Sequence, residues 1–490
     1  MTTTTEIGSN DAFRQRLVEI LAGQGGSLEG DDPWLAIAQS QAGRPAPSGG
    51  ANGDDRPSHA EVQVPSDRRM ASGDDFTPLA PTSIDETGLS RNEIESLVLK
   101  YLLNRGAASG RDIADQIHLP FRLIERLLRQ LKESLLLVYK SSAPVSDYVY
   151  ELTEPGCDRA RRYSQRCTYF GTAPVSLRDY MLSVQAQSIT RQRPRMADLK
   201  RAFSDLLLAP NILSQLGQAM SAGLGLFLYG APGNGKTSIA ERIMRAYGKS
   251  IWLPRAVSIF GEIVRLYDPG NHEALPSTAA EDRADWIDKR WIRVRRPTII
   301  VGGELTLDSL EVVTNAATGI SEAPLQMKAN CGALVIDDFG RQRVSATELL
   351  NRWIVPLEKR HDYLSLANGR KFQVPFDQLI VFSTNLEPKQ LVDEAFLRRI
   401  PYKIDIGDPS ESDFRQVFQQ TARALEISYE PPMLDYLIET HFKAAGRPMR
   451  FCHARDLLRQ VCIYCTFHEL PLAVSREALD AAADNYFAIM

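Results

Sequence analysis

Cysteine is scarce in this chain of 490 residues: six in all, too few for a disulfide framework, which makes a reducing cytoplasm the expected address. Long apolar runs are missing as well. No stretch approaches the roughly 18 consecutive apolar residues of a membrane-spanning helix, so no membrane insertion is expected. The opening MTTTTEIGSN has neither a basic segment nor an apolar core, and no secretory leader is expected. Charge of one sign is lacking too: 57 basic against 61 acidic residues give −4, too mild a balance to require nucleic acid as partner. No His-Glu-x-x-His occurs, which excludes a fused zinc protease of that kind. What remains is ordinary: 43% apolar and 24% charged residues supply a sizeable core, and the length fits about three folded units.

The mild total hides an uneven chain. Residues 1–90 hold 14 acidic side chains, six Arg and no Lys, a balance of −8, so the other 400 residues carry +4. The same stretch contains 11 Gly and 7 Pro. It buries too little apolar surface to offset ordering entropy, and residues 1–89 are expected to form a disordered acidic tail. Within it, residues 11–21 place Phe13, Leu17, Val18, Ile20 and Leu21 at near-helical spacing. This piece reads as a transient helix or as a docking helix for a partner.

Order is expected from Ser90. Ile94, Leu97, Val98 and Leu102 share a helical face, with Ser90 as cap and Glu93 three residues on. SGRDIADQI gives a second helix, residues 120–133 a third, and LLLVYKSS with DYVYELTEPG a hairpin. Three helices and a hairpin over residues 90–170 resemble a winged helix-turn-helix. The 120–133 helix then corresponds to the recognition helix, and its Arg122, Arg126, Arg129 and Lys132 are candidates for DNA contact. Glu125 and Glu133 lie among them, and the segment nets only +3, so a solvated or protein-docking face is the competing reading.

The strongest signal is GLGLFLYGAPGNGKTSIAERIM. An apolar strand runs into Gly230, Ala231, Pro232, Gly233, Asn234, Gly235, Lys236, Thr237 and Ser238, then a helix. This is the G-x-x-x-x-G-K-[ST] phosphate loop in its strand–loop–helix setting. The glycines let backbone N–H groups curl around a phosphate, and the helix N-terminus adds its dipole. Lys236 is placed for the β/γ-phosphates of ATP, and Thr237 for Mg²⁺. A second apolar strand, residues 333–336, ends in Asp337 and Asp338. Asp337 is the candidate Mg²⁺ ligand and Asp338 the candidate for orienting an attacking water.

A third apolar strand ends in Ser383, Thr384 and Asn385. With it the chain resembles the AAA+ ATPases, over about residues 173–490. The implied fold is α/β: a P-loop core with a parallel sheet over 171–407 and a helical lid over 408–490. The resemblance implies that Asn385 helps position water (sensor 1) and that Arg398 or Arg399 is an arginine finger acting on a neighbouring subunit. It also implies a sensor 2 arginine in the lid: Arg455 fits HARDLLRQV best, with Arg450 as the alternate. Many relatives carry Glu where this chain has Asp338, and the shorter side chain implies slow hydrolysis. The 101 residues from Lys236 to Asp337 leave room for an insertion at about 260–328, with RRPTIIVGGELTLDSLEVV as an inserted hairpin. A second hairpin is expected at DYLSLANGRKFQVPF. Insertions at these places resemble the MoxR-like and enhancer-activator branches, although the activator motif GAFTGA is absent.

Two weaker patterns remain. Ile259-Phe260-Gly261 has a pore-loop composition in reversed order, and buried packing is expected for it. Cys452, His453, Cys462 and Cys465 have zinc-ligand chemistry, but they fall on one expected helix and read as buried thiols, with no structural metal expected. The resemblance implies a homo-oligomeric ring, a hexamer, that hydrolyses Mg-ATP to remodel a protein client of unknown identity. An ATP-controlled factor that binds DNA through its winged helix is the alternative.

Overall fold

The computed structural model describes residues 76–277, 284–391 and 394–488. The expected tail through residue 75, including its 11–21 helix, lies outside them. The tail's expected end at residue 89 needs correction. The Phe76 ring packs edge-on against Trp291 at 5.6 Å, and the Ala80 N–H donates to Trp286 O at 2.8 Å. Residues 76–89 are held by apolar and backbone contacts that their Gly/Pro-rich surroundings conceal.

Ser90 caps the first helix as its spacing predicts. Its N–H donates to Glu93 Oε2 at 2.8 Å, and its side chain accepts from the Glu93 N–H. There follow α1 (Arg91–Arg105), β1 (Ala107–Ser109), α2 (Gly110–Ile117), α3 (Phe121–Glu133), β2 (Leu137–Ala143), β3 (Asp147–Leu152) and α4 (Glu154–Arg166). The three strands form an antiparallel sheet in the order β1-β3-β2. Leu97, Val98 and Leu102 of α1 meet Ile113, Leu127, Leu128 and Leu131 in one core. That packing leaves Arg122, Arg126, Arg129 and Lys132 exposed on α3. Arg129 pairs with Glu125 at 2.8 Å, and Lys132 lies over the Tyr139 ring at 4.5 Å.

After β4 (Val175–Ser176) and α5 (Leu177–Ala186) the chain builds its central layer. Helix α6 (Pro210–Ala222) leads into β5 (Leu226–Tyr229), and α7 (Lys236–Arg242) leaves the loop that follows. The other strands of this sheet are β10 (Thr298–Val301), β13 (Ala333–Ile336), β16 (Leu379–Thr384) and β17 (Tyr402–Asp405). Their order is β10-β13-β16-β5-β17, and every pairing is parallel. Such strands are buried on both faces and read as continuous apolar runs. Leu226 and Leu228 pack under Leu216, Ala219 and Met220 of α6. Phe227 faces the other way, toward Trp353 of α8 (Ala346–Lys359).

The expected insertion at 260–328 is corrected in part. Thr298–Val301 is not an inserted hairpin but a strand of the central sheet, in register with Ala333–Ile336. A four-residue apolar run carries no periodicity that separates the two outcomes. The added structure brackets that strand. Before it come β6 (Ser250–Pro254), β7 (Ala256–Ile259), β8 (Glu262–Arg265) and β9 (Trp291–Arg295); after it come β11 (Val313–Asn315) and β12 (Ile320–Glu322). They give a second sheet, β11-β12-β8-β7-β4, and the pair β6-β9. The second hairpin, β14 (His361–Ser365) with β15 (Lys371–Pro375), stands where its sequence places it, directly before β16.

Phe260 is corrected as well. It is 54% exposed at the β7–β8 tip, not buried. Phe260 and Gly261 have φ of 53° and 85°, the positive values a tight two-residue hairpin turn requires. The Arg370 guanidinium lies 4.4 Å over the Phe260 ring, and Asn368 Nδ2 donates to Glu262 Oε1 at 2.5 Å. The two hairpins therefore meet at their tips.

The C-terminal part is helical: α9 (Glu411–Ala424), α10 (Pro431–Tyr436) running on into a π-type turn over Leu437–Lys443, α11 (Phe451–Phe467) and α12 (Arg476–Phe487). Phe414, Phe418, Leu457, Leu458 and Leu479 fill its separate core. Among the described residues no helix is long and apolar enough to cross a membrane.

Arg290 ties the segment before α1 to the one before β4. Only 3% exposed, it pairs with Asp288 and donates to Thr87 O at 2.9 Å and Pro174 O at 3.1 Å. Arg290→Met leaves the Asp288 carboxylate buried without its partner and is expected to cost about 3–5 kcal/mol. Denaturant unfolding measures this; a loss under about 1 kcal/mol removes the bracing role.

Candidate nucleotide site

The loop between β5 and α7 bends through three glycines with φ of 136°, 90° and 84° at Gly230, Gly233 and Gly235. Two of them also have no room for a side chain. A Cβ on Gly230 would strike Ile406 O, and one on Gly233 would strike Cys452 Sγ. The loop ends where α7 begins, at Lys236, which is 7% exposed. Its ammonium donates to Gly230 O at 2.9 Å, Ala231 O at 3.0 Å and Asn385 Oδ1 at 2.6 Å. Burial holds its pKa below the ordinary lysine range; the Asp337 and Asp338 carboxylates oppose that shift and Arg450 adds to it. Pro232 is exposed, and Ser238 is half-buried with its carbonyl accepting from Arg242 Nη1 at 2.8 Å.

The two acidic residues lie across from the loop at the end of β13. Thr237 Oγ1 donates to Asp337 Oδ2 at 2.7 Å. A hydroxyl and a carboxylate side by side, all oxygen, suit a hard divalent cation such as Mg²⁺. Asp338 takes a left-handed backbone, φ 48°, at a cost of roughly 1–2 kcal/mol. The turn is held by its neighbours: Phe339 N–H donates to Ser383 O at 2.7 Å, and Gln342 Nε2 donates to Asp337 O at 2.8 Å. Asn385 bridges the two halves, since its Oδ1 accepts from Lys236 while its Nδ2 reaches Asp338 Oδ1 at 3.4 Å. Glu304, beyond the end of β10, accepts from the Gly302 N–H at 2.9 Å, which lowers its pKa.

The arginines are placed unequally. Arg398 is exposed, whereas Arg399 donates to Glu358 Oε1 at 2.6 Å. Arg455, the better sequence match for the lid arginine, turns to Asp456 at 3.0 Å and is 57% exposed. Arg450 instead lies beside the loop: its Cδ packs over Gly233, and its buried Nε has no partner among the described residues. The reason is where the helix starts. α11 begins at Phe451, so Arg450 stands at its mouth and Arg455 a turn further along.

Three contacts of the loop have no local sequence signal. Gly233 O accepts from the Cys452 N–H at 3.0 Å. Asn234 Nδ2 donates to Asp408 Oδ1 at 2.8 Å and to Ile406 O at 3.3 Å. The partners lie more than 170 residues away.

The four candidate zinc ligands go to different surroundings. Cys452 faces the loop; His453 stacks among Phe442, Tyr486 and Phe487; Cys465 Sγ lies 3.5 Å from Ala473 O; Cys462 is half-buried. Burial, with Arg450 adding to it, pushes the His453 pKa down to about 4. Among the described residues no group of three or more His, Cys, Asp or Glu is placed to hold a metal.

Comparison with known proteins gives little at the level of sequence. No curated protein matches the chain. A family described only as a domain of unknown function, DUF8689, matches residues 410–485, the helical C-terminal part. Among solved structures, the chain is similar to the RuvB Holliday junction branch migration motor of Thermotoga maritima, at 13% identity and a TM-score of 0.34, over 61% of this chain and 73% of that one. It is also similar to NtrX of Brucella abortus in complex with ADP, at 15% identity and a TM-score of 0.36, over 59% of this chain and 57% of NtrX.

Proposed function

We propose that the chain is an AAA+ ATPase that binds and hydrolyses Mg-ATP. The observation that carries the reading is the link from Lys236 through Asn385 to Asp338, with Thr237 on Asp337, at the C-terminal edge of a parallel sheet. Backbone N–H groups of residues 233–237 cradle the phosphates, and Lys236 leaves its loop carbonyls to meet their charge. Thr237 and Asp337 would hold Mg²⁺, which would supply positive charge for the phosphate oxygens. Asp338 orients the attacking water and accepts its proton, and the Asn385 carboxamide fixes that water's place. Arg450, beside Gly233, is the lid arginine of this reading.

Arg398 acts as the finger on the next subunit, because Arg399 is engaged by Glu358. Such a finger needs a ring, which we take to be a homo-hexamer; hydrolysis then drives remodelling of a protein client. Residues 90–170 serve as a winged-helix adaptor. A second reading rests on the exposed Arg122 and Arg126 of α3, with Lys132 stacked on Tyr139. It makes the chain an ATP-controlled factor that holds duplex DNA. Duplex binding that weakens steeply with salt moves this reading ahead, because phosphate contacts release counterions.

Lys236→Ala is expected to abolish ATP binding in isothermal titration, and unchanged affinity sinks the loop assignment. Asp338→Asn is expected to bind ATP normally while its phosphate release falls by about 10²–10⁴-fold, the usual share of a positioned base. Near-normal turnover moves the base elsewhere, with Glu304 next to test.

Arg398→Ala is expected to keep ATP binding and lose turnover by about 10³-fold or more. Mixing it with Lys236→Ala protein should restore part of the activity, because an intact pocket then faces an intact finger. Normal hydrolysis by Arg398→Ala, independent of protein concentration, argues against a ring.

A further inference from the structure

The phosphate loop is fastened at two points to the segments that carry the helical lid. On one side the Asn234 carboxamide, 3% exposed, holds Asp408 Oδ1 at 2.8 Å and Ile406 O at 3.3 Å. Both acceptors lie on the linker between β17 and α9. On the other side Gly233 O takes the Cys452 N–H at 3.0 Å, in the first turn of α11. The Asn234 Oδ1 is buried without a partner among the described residues, so the carboxamide's orientation rests on what its Nδ2 holds. Left-handed glycines stand on both sides of Asn234, with φ of 90° and 84°, and the residue is part of the curl that meets the phosphates.

Resting on the reading of this loop as the nucleotide cradle, we infer that Asn234 and Asp408 form a positioning pair that sets the angle of the lid and so the approach of Arg450 to the phosphates. A loop that shifts as phosphates enter pulls the linker through Asp408 and the first turn of α11 through Gly233. Two separated attachments turn the lid when their anchors move by different amounts, and a single attachment sets no angle. The Asp408 carboxylate also exerts its charge on His453, in the first turn of the same helix. It is exposed, and its truncation opens no core.

The test uses the full chain with Asp408→Ala and Asp408→Asn, the second keeping an oxygen for Asn234 Nδ2. Steady-state hydrolysis of Mg-ATP is read beside hydrogen exchange of the amides of 233–238 and 451–456, with and without Mg-AMP-PNP. Asp408→Ala is expected to lower kcat about tenfold with KM within about twofold, the size of effect a coupling residue has. The loop amides should still gain protection from the analogue, while the response of 451–456 disappears. Asp408→Asn should recover most of both. Asp408→Ala that keeps its kcat and its response at 451–456 overturns the inference. A wild-type loop that gains no protection from the analogue refutes the nucleotide reading itself, and the inference falls with it.

Discussion

The arrangement turns on one strand. β16 lies between β5, which leads into the glycine loop, and β13, which carries the two aspartates. Parallel strands all end on the same edge, so the residue after β16 must stand between the loop and the acids. Asn385 is that residue, and its carboxamide has one face for an ammonium and one for a carboxylate. Lys236 and Asp338 are thereby linked through one neutral group that bonds to both.

That edge is packed from several directions. The central sheet is buried on both faces, by α6 on one side and by α8 with its Trp353 on the other. The loop leans on the C-terminal helices, through Cys452, and on their linker, through Asp408. Farther out, the β7–β8 and β14–β15 hairpins close on each other at Phe260 and Arg370. Because β15 runs directly into β16, this outer contact and Asn385 belong to one stretch of chain.

Much of this is legible in the amino-acid sequence. The glycine loop declares itself locally, since two glycines, a lysine and a threonine fall at the fixed spacing of the motif. The ends of β13 and β16 are legible for a similar reason: polar residues closing a buried apolar strand need a use. The helical cap at Ser90 and the hairpin before β16 also follow from neighbours in sequence. The features that sequence patterns miss are decided by distant partners. Thr298–Val301 is a central strand only because Ala333–Ile336 lies beside it. Phe260 is exposed because the pairing of Ile259 with Glu262 puts it at the hairpin tip. Arg450 rather than Arg455 borders the loop because of where α11 starts, and no spacing rule sets that to within one turn.

The register of β5 has a consequence for how the molecule comes into being. Its two neighbours in the sheet are β16 and β17, and its pairing with Tyr402–Asp405 joins residues about 175 positions apart. Gly230 is closed over by Ile406, and Asn234 is anchored at Asp408. During synthesis, then, the glycine loop emerges long before the segments that shape it. Contacts this far apart in the chain must meet the entropy of closing a long loop before they stabilise anything. A chain halted before residue 402 carries the complete loop sequence without the walls that hold its curl. The curl of the glycine loop is thus among the last parts of the central layer to form, and its completion reports that the sheet is closed.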